Sequence, residues 1–292
     1  MRFHGQHPAG GAQTLDQRMS RLIVFTDLDG TLLERNSARW EAAQPALRRL
    51  RGRGIPVVLC TGMTRAQVLP LWKELGLHDP FVCEHGGAVY IPRNYFPFAL
   101  PRARVEAGFQ VLELGERHQK LVSALDVAAK TSGVEVCGFS RMNNKKVAEL
   151  TGLNRSGAKR ARLREYDEPF VLEKGTAKQK ERFFRWLQQR GLRWSEEGPF
   201  YHLMGDNDEG LAVGRLIQLY RQQYGEIQTV GLGNGPNDVD FLAVVDSPVL
   251  VAGPDGSHNW DVRTRVPGIR LAPGAGPAGW NGVILEILGA AG

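Results

Sequence analysis

Asp27 and Asp29 stand two residues apart at the end of the apolar run LIVFT, followed at once by Gly30 and Thr31. While a strand persists, residues i and i+2 share a face, so both carboxylates would project together from its end. In open α/β sheets the carboxyl ends of the strands are where ligands bind. One carboxylate there can attack phosphorus while the other hands a proton to the leaving oxygen, a division suited to phosphoryl transfer. Gly30 allows the tight turn that follows, and Thr31 adds a hydroxyl. A divalent cation must offset the crowding of phosphate and carboxylates, and oxygen ligands favour Mg²⁺. An acidic turn that merely caps a strand remains the bland alternative. A calcium loop fails on spacing, since an EF-hand needs a further acid or Asn before the Gly and a Glu late in the loop.

The elements that would position these residues alternate along the chain. LIVFTDLDG is a short apolar run opening into a loop, as expected of a buried parallel strand. WEAAQPALRRLRGRG follows as an amphipathic helix closed by glycine, then IPVVLCTGMT as a second strand. RAQVLPLWKELGL is a second helix, with Pro70 inside it, and PFVCEHGGAVYIP a third strand with a hairpin-like continuation. Past Arg93 the texture changes. VEAGFQVLELGERHQKLVSALDVAAKTSG and NKKVAELTGLNRSGAKRARLREY read as helical, interleaved with strand-like VEVCGF, PFVLE and PFYHLM. The α/β rhythm resumes with EGLAVGRLIQLYRQQYG, IQTVGLGNGPND and SPVLVAGP, closing on GWNGVILEILGA. The pattern predicts a doubly wound α/β core with a parallel sheet, interrupted by an inserted α+β cap. The expected boundaries are a disordered leader at 1–19, the core at 20–93 and 205–292, and the cap at 94–204.

Composition narrows the partners. A hydrophobic share of 42% in 292 residues is ample for a buried core. The net charge of +6 suits an anionic small molecule. The Arg residues lie along amphipathic segments such as LRRLRGRG, which read as solvated helix faces, and no nucleic-acid-binding signature is present. Cys60, Cys83 and Cys137 have no metal-binding spacing and read as reduced thiols of a cytoplasmic protein. No apolar stretch approaches the roughly 20 residues that cross a bilayer. The oligomeric state is not legible.

FTDLDGTLL resembles the first motif of the haloacid dehalogenase superfamily, a group of aspartyl-phosphate phosphatases. The resemblance implies that Asp27 is the nucleophile and a metal ligand. It makes Asp29 the general acid/base, with its backbone carbonyl on the metal. Thr61, ending VVLCT, matches the second motif, a hydroxyl that holds the phosphoryl group, and GLGNGPND matches the acidic loop completing a Mg²⁺ site. The segments SARWEAAQPAL, TGMTRAQV, CEHGGAVYIPRNYF, VAELTGL, AKRARLREYDEPF, FYHLMG and GLGNGPND together resemble mannosyl-3-phosphoglycerate phosphatases. These enzymes make the compatible solute mannosylglycerate, and they carry an α+β cap. The implied substrate is mannosyl-3-phosphoglycerate or a close glycosyl analogue. Arg164 and Glu165, in REYDEPF, are the implied contacts to sugar or glycerate, because a guanidinium suits a carboxylate or phosphate. A helix-end charge pair explains them equally well. Gly62 and His202 are counted with them, and Glu84, Gly86 and Gly87 would border the phosphate site or a cap hinge.

Several positions depart from the family. Gly233-Asn234 stands where the family has Gly-Asp, removing a charged metal ligand unless Asp238 moves in. Asp208-Glu209-Gly210 stands where the family has Asp-Lys-Gly, so a phosphate-binding lysine gives way to a carboxylate that repels phosphate at short range. Lys174, in EKGTAK, sits too early to replace it and belongs to the cap. Gly198-Pro199 replaces Gly-Arg, and His85 stands where relatives often have Asn. Two expectations follow: a working phosphatase with a rebuilt site, or an impaired homologue that binds a sugar phosphate or a protein partner.

Overall fold

The computed structural model describes residues 21–35 and 37–290, so the leader expected at 1–19 lies outside the described residues. The run ahead of Asp27 forms β1 (Arg21–Thr26). Its alternate side chains go to opposite faces, Ile23 and Phe25 into one apolar cluster and Val24 into another. The chain continues through α1 (Gln44–Gly52), β2 (Val57–Cys60), α2 (Arg65–Glu74), β3 (Phe81–Cys83) and β4 (Ala88–Pro92). β5 (Arg104–Glu106) and β6 (Phe109–Glu113) come next, then α3 (His118–Ser132) and β7 (Glu135–Gly138). α4 (Asn144–Thr151), α5 (Arg155–Ala161), β8 (Asp167–Lys174), α6 (Ala177–Gln188), β9 (Arg193–Glu197) and β10 (Phe200–Met204) follow. The chain closes with α7 (Glu209–Tyr224), β11 (Ile227–Gly233), α8 (Val239–Leu242), β12 (Ser247–Ala252), α9 (Trp260–Arg265), β13 (Arg270–Ala275) and α10 (Gly276–Ala290).

The large sheet runs β13-β12-β11-β1-β2-β3-β4-β6-β5. Its strands from β13 to β3 are parallel and the remainder antiparallel. From β1 the chain winds outward through β2 and β3, then returns on the other side of β1 through β11, β12 and β13. The winding therefore reverses between β1 and β11, which opens a crevice at their carboxyl ends. α1, α2 and α10 cover one face and α7 the other, so the parallel strands are buried on both sides. Trp280 of α10 is fully buried and donates from Nε1 to Thr26 Oγ1 at 3.0 Å, which pins the last residue of β1.

A second sheet, β7-β8-β10-β9, is antiparallel, with α3 and α6 packed on it through Leu121, Leu125, Phe183 and Leu187. This is the inserted α+β block. The segment VEAGFQVLEL, expected to be helical and to lie inside that block, instead makes the β5–β6 hairpin at the edge of the large sheet. Ala107 (φ 47°) and Gly108 (φ 88°) form its two-residue loop. Positive φ at both positions matches the right-handed twist of a hairpin. Among the described residues no helix is long and apolar enough to cross a membrane.

Candidate active site

Four neighbouring strands place the sequence motifs in one row. Asp27 follows β1, Thr61 follows β2, Glu84 follows β3 and Asn234 follows β11. Asp27 stays on the ladder one residue beyond β1, its N–H donating to Leu232 O at 2.9 Å. Gly30 has φ 84°, and a Cβ there would collide with Asn234 Nδ2, so the turn tolerates no side chain. Asn234 Nδ2 donates to the Asp29 carbonyl at 2.8 Å, zipping the two loops together across the crevice. Buried Thr61 accepts from Met63 N–H at 3.2 Å, which leaves its hydroxyl proton to donate. Asp238 Oδ2 accepts from the N–H groups of Asn234 (2.6 Å) and Gly235 (2.8 Å), so this carboxylate shapes the loop that presents Asn234.

Negative charge accumulates here. Burial, then Asp238 and Asp29, push the Asp27 pKa well above the ordinary range, opposed by the Thr31 hydroxyl. Burial lifts Asp238 to about 7, against the pull of its two N–H donors. Glu209 opens α7, is only 3% exposed, and neither carboxylate oxygen has a hydrogen-bond partner among the described residues. Burial and then Asp238 hold its pKa far up. The nearby cation is Arg35, which pulls Asp29 and Asp238 down against burial. Its one sequence signal is its place two residues past FTDLDGTLL, too slight to single it out.

A cleft of about 590 Å³ opens between β9 and the strand ends, lined by Arg35, Arg193, Trp194, Glu209, Asn234 and Arg265 among others. Of the residues singled out in the sequence for chemistry or substrate, Asn234 alone lines it. Asp27 (5% exposed) and Thr61 (3%) are buried behind it.

The expected substrate residues sit instead in the seam between cap and core, with their polar groups already bound to one another. Arg164 Nη1 donates to Gly62 O (2.7 Å) and Asp167 Oδ2 (2.8 Å), and Nε to Ala161 O (3.0 Å). Glu165 Oε1 accepts from Arg65 Nε and Tyr90 Oη, each at 3.1 Å. Glu84, at 0% exposure, accepts from Glu165 N–H (3.0 Å) and Tyr166 N–H (2.8 Å), and burial lifts its pKa to about 7. His202 Nδ1 bonds Asp167 Oδ2 at 2.9 Å and lies 3.3 Å from His85 Nε2. Burial, then His202, lower the His85 pKa to about 4, so this imidazole is neutral. Burial opposes ionisation of Asp167, yet His202 and Arg164 hold it at about 2. Gly62 leaves room for the His85 ring; Gly86 packs on the Asp208 carbonyl and Gly87 on Tyr166.

Two donor sets could interest a metal. His85, Asp167 and His202 bring ligand atoms within 4.8 Å of one another, but the Arg164 guanidinium already fills the cation's role on Asp167. The Asp27 carboxylate, Asp29 carbonyl and Asn234 amide form an all-oxygen set, given an Asn234 amide turned to present its oxygen. Buried carboxylates crowd around it, so this set fits a hard divalent cation.

The sequence pattern of the haloacid dehalogenase-like hydrolases matches residues 24–253. The chain is 39% identical over 270 residues, 91% of its length, to a Methanococcoides burtonii protein named glucosyl-3-phosphoglycerate/mannosyl-3-phosphoglycerate phosphatase, of which it covers 97%. It is 33% identical to a protein of the same name from Persephonella marina, over 91% of this chain and 97% of that one. Among solved structures, a sugar phosphatase of HAD subclass IIB superposes with a TM-score of 0.61 at 16% identity, over 92% of this chain and 98% of that one.

Proposed function

The chain belongs to the haloacid dehalogenase-like hydrolases, and from that premise we propose that it is a Mg²⁺-dependent phosphatase of glucosyl- or mannosyl-3-phosphoglycerate. The observation that carries this reading is the row of strand ends, with Asp27 at the β1/β11 crevice, Thr61 and Asn234 on either side, and Asp29 two residues on. Asp27 attacks the phosphoryl group to give an aspartyl phosphate, Asp29 protonates the departing glycerate oxygen, and Asp29 then draws a proton from the water that hydrolyses the intermediate. Asp27, the Asp29 carbonyl and Asn234 would hold the Mg²⁺, which supplies charge neutralisation at the phosphate when bound. Thr61 donates its hydroxyl proton to a phosphoryl oxygen. Arg35, Arg193 and Arg265 give the cleft the charge an anionic substrate needs.

Arg164, Glu165, Glu84, Gly62, Gly86, Gly87 and His202 act as the joint on which the cap rests, since the buried nucleophile needs the cap to move before substrate arrives. A second reading, a homologue that binds a sugar phosphate or a protein without turnover, draws on one observation: the Glu209 carboxylate, buried beside Asp27. Phosphate release from both glycosyl-3-phosphoglycerates with Mg²⁺ separates the two. The first reading expects release that Asp27→Asn abolishes; no release above that variant would establish the second.

A further inference from the structure

His85 belongs to both regions of the molecule. It follows β3 in the core and lines the cleft, yet its Nε2 lies 3.3 Å from His202 Nδ1 of cap strand β10. Its backbone is held for this placement. Glu84 (φ 52°) and His85 (φ 54°) are consecutive non-glycine residues in the left-handed region, a strained arrangement that persists only where its surroundings enforce it. Asn207 Nδ2 donates to the His85 carbonyl at 3.0 Å. A Cβ on Gly62 would collide with the Nε2–Cε1 edge of the ring, so that edge packs against the residue next to Thr61.

The hydrogen bonds assign the protons on both rings. Arg164 Nη1 sits 2.8 Å from Asp167 Oδ2, so Asp167 is a carboxylate and can only accept. His202 Nδ1, 2.9 Å from the same oxygen, must be the donor. His85 Nε2 faces that N–H, and a proton on it would set two donors against each other. The His85 imidazole is neutral, since burial and then His202 lower its pKa to about 4. Its one proton is therefore on Nδ1. Among the described residues the hydrogen bonds of His85 run through Nε2 and the carbonyl oxygen, which leaves Nδ1–H for the cleft.

We propose that His85 binds the substrate through this Nδ1–H, donating to an oxygen of the phosphoryl group held beside Thr61, and that His202 and Asp167 of the cap set the tautomer that makes it a donor. This rests on the reading of the Asp27–Thr61 row as a phosphate site. A neutral N–H gives an anion a hydrogen bond without burying a further charge. Cap and core are thereby coupled. A cap lifted away from His85 leaves its tautomer free, so the donor is fixed only when the cap is closed.

Long-range proton–nitrogen NMR spectra of the full, ¹⁵N-labelled chain read the tautomer directly. Wild type should show His85 protonated at Nδ1 and bare at Nε2, and inorganic phosphate added with Mg²⁺ should shift the Nδ1 resonance. His202→Phe should move the proton to Nε2, where Asp167 Oδ2 lies 3.9 Å away. Phosphate release from the glycosyl-3-phosphoglycerates adds a second arm. An Asn amide reaches the place of Nδ1 and a Gln amide the place of Nε2, so kcat/KM of His85→Gln should fall about tenfold below that of His85→Asn. Wild-type His85 protonated at Nε2, an Nδ1 resonance indifferent to phosphate, or equal kcat/KM for the two variants overturns the inference. A chain without turnover overturns the phosphatase reading, while the spectra still decide this one.

Discussion

The seam between cap and core and the row of strand ends both bury charge, and they treat it in opposite ways. In the seam each of the three buried or half-buried carboxylates has a donor, with Asp167 Oδ1 alone among their buried oxygens lacking a partner among the described residues. Asp167 meets Arg164 and His202, Glu165 meets Arg65 and Tyr90, and Glu84 takes two backbone N–H groups. At the strand ends Asp238 and Glu209 both push up the Asp27 pKa, Asp238 does the same to Glu209, and Glu209 has no partner among the described residues. A largely paired network suits a structural joint, whereas a buried cluster of one sign carries charge that a cation would offset. The contrast is the ground for proposing that REYDEPF, which looks like a substrate motif in the sequence, acts as a latch, and that the chemistry lies with the poorer-satisfied set.

Removing a charge from each region should therefore have opposite signs. Arg164→Met strips the cation from buried Asp167, and denaturant melts should show a loss of about 3–5 kcal/mol. A loss under about 1 kcal/mol would mean the seam is not a joint.

Glu84 sharpens the same comparison through pH. Its folded pKa of about 7 lies above the ordinary 4.5. Its contribution to stability is therefore fully present below pH 4.5 and is lost as pH rises through 7. Across that window wild type should lose up to about 3 kcal/mol relative to Glu84→Gln. Parallel stability–pH curves for the two proteins would contradict it.

At the strand ends, Asn234→Asp restores a charged ligand, and the Mg²⁺ concentration for half-maximal activity should fall about tenfold. An unchanged requirement would remove Asn234 from the ligand set. Smallest in effect, Glu209→Gln should stabilise the metal-free protein by about 1 kcal/mol, because it removes a buried carboxylate that has no donor and that Asp238 repels. A destabilised variant would show that Glu209 is satisfied after all.

The local features were legible and the contacts between distant segments were not. LIVFTDLDG announced a buried strand ending in two carboxylates, and Gly30 a turn that excludes a side chain. The β5–β6 hairpin escaped because its loop is Ala107-Gly108, without the Asn or Asp that marks such turns. The seam escaped for a different reason. Arg164 meets Gly62 across 102 residues and His85 meets His202 across 117, so no local pattern encodes either contact. Glu209 was visible as a departure in charge, but its burial and lack of a partner depend on the packing of α7 against the strand ends.

The central claim is that Asp27 accepts the phosphoryl group. Acid quenching of the enzyme during turnover of a glycosyl-3-phosphoglycerate, followed by peptide mass mapping, tests it directly. A phosphoryl mass increment on Asp27 in wild type, absent together with turnover in Asp27→Asn, is the predicted result. Turnover that survives Asp27→Asn, or an increment that maps to another residue, would contradict it.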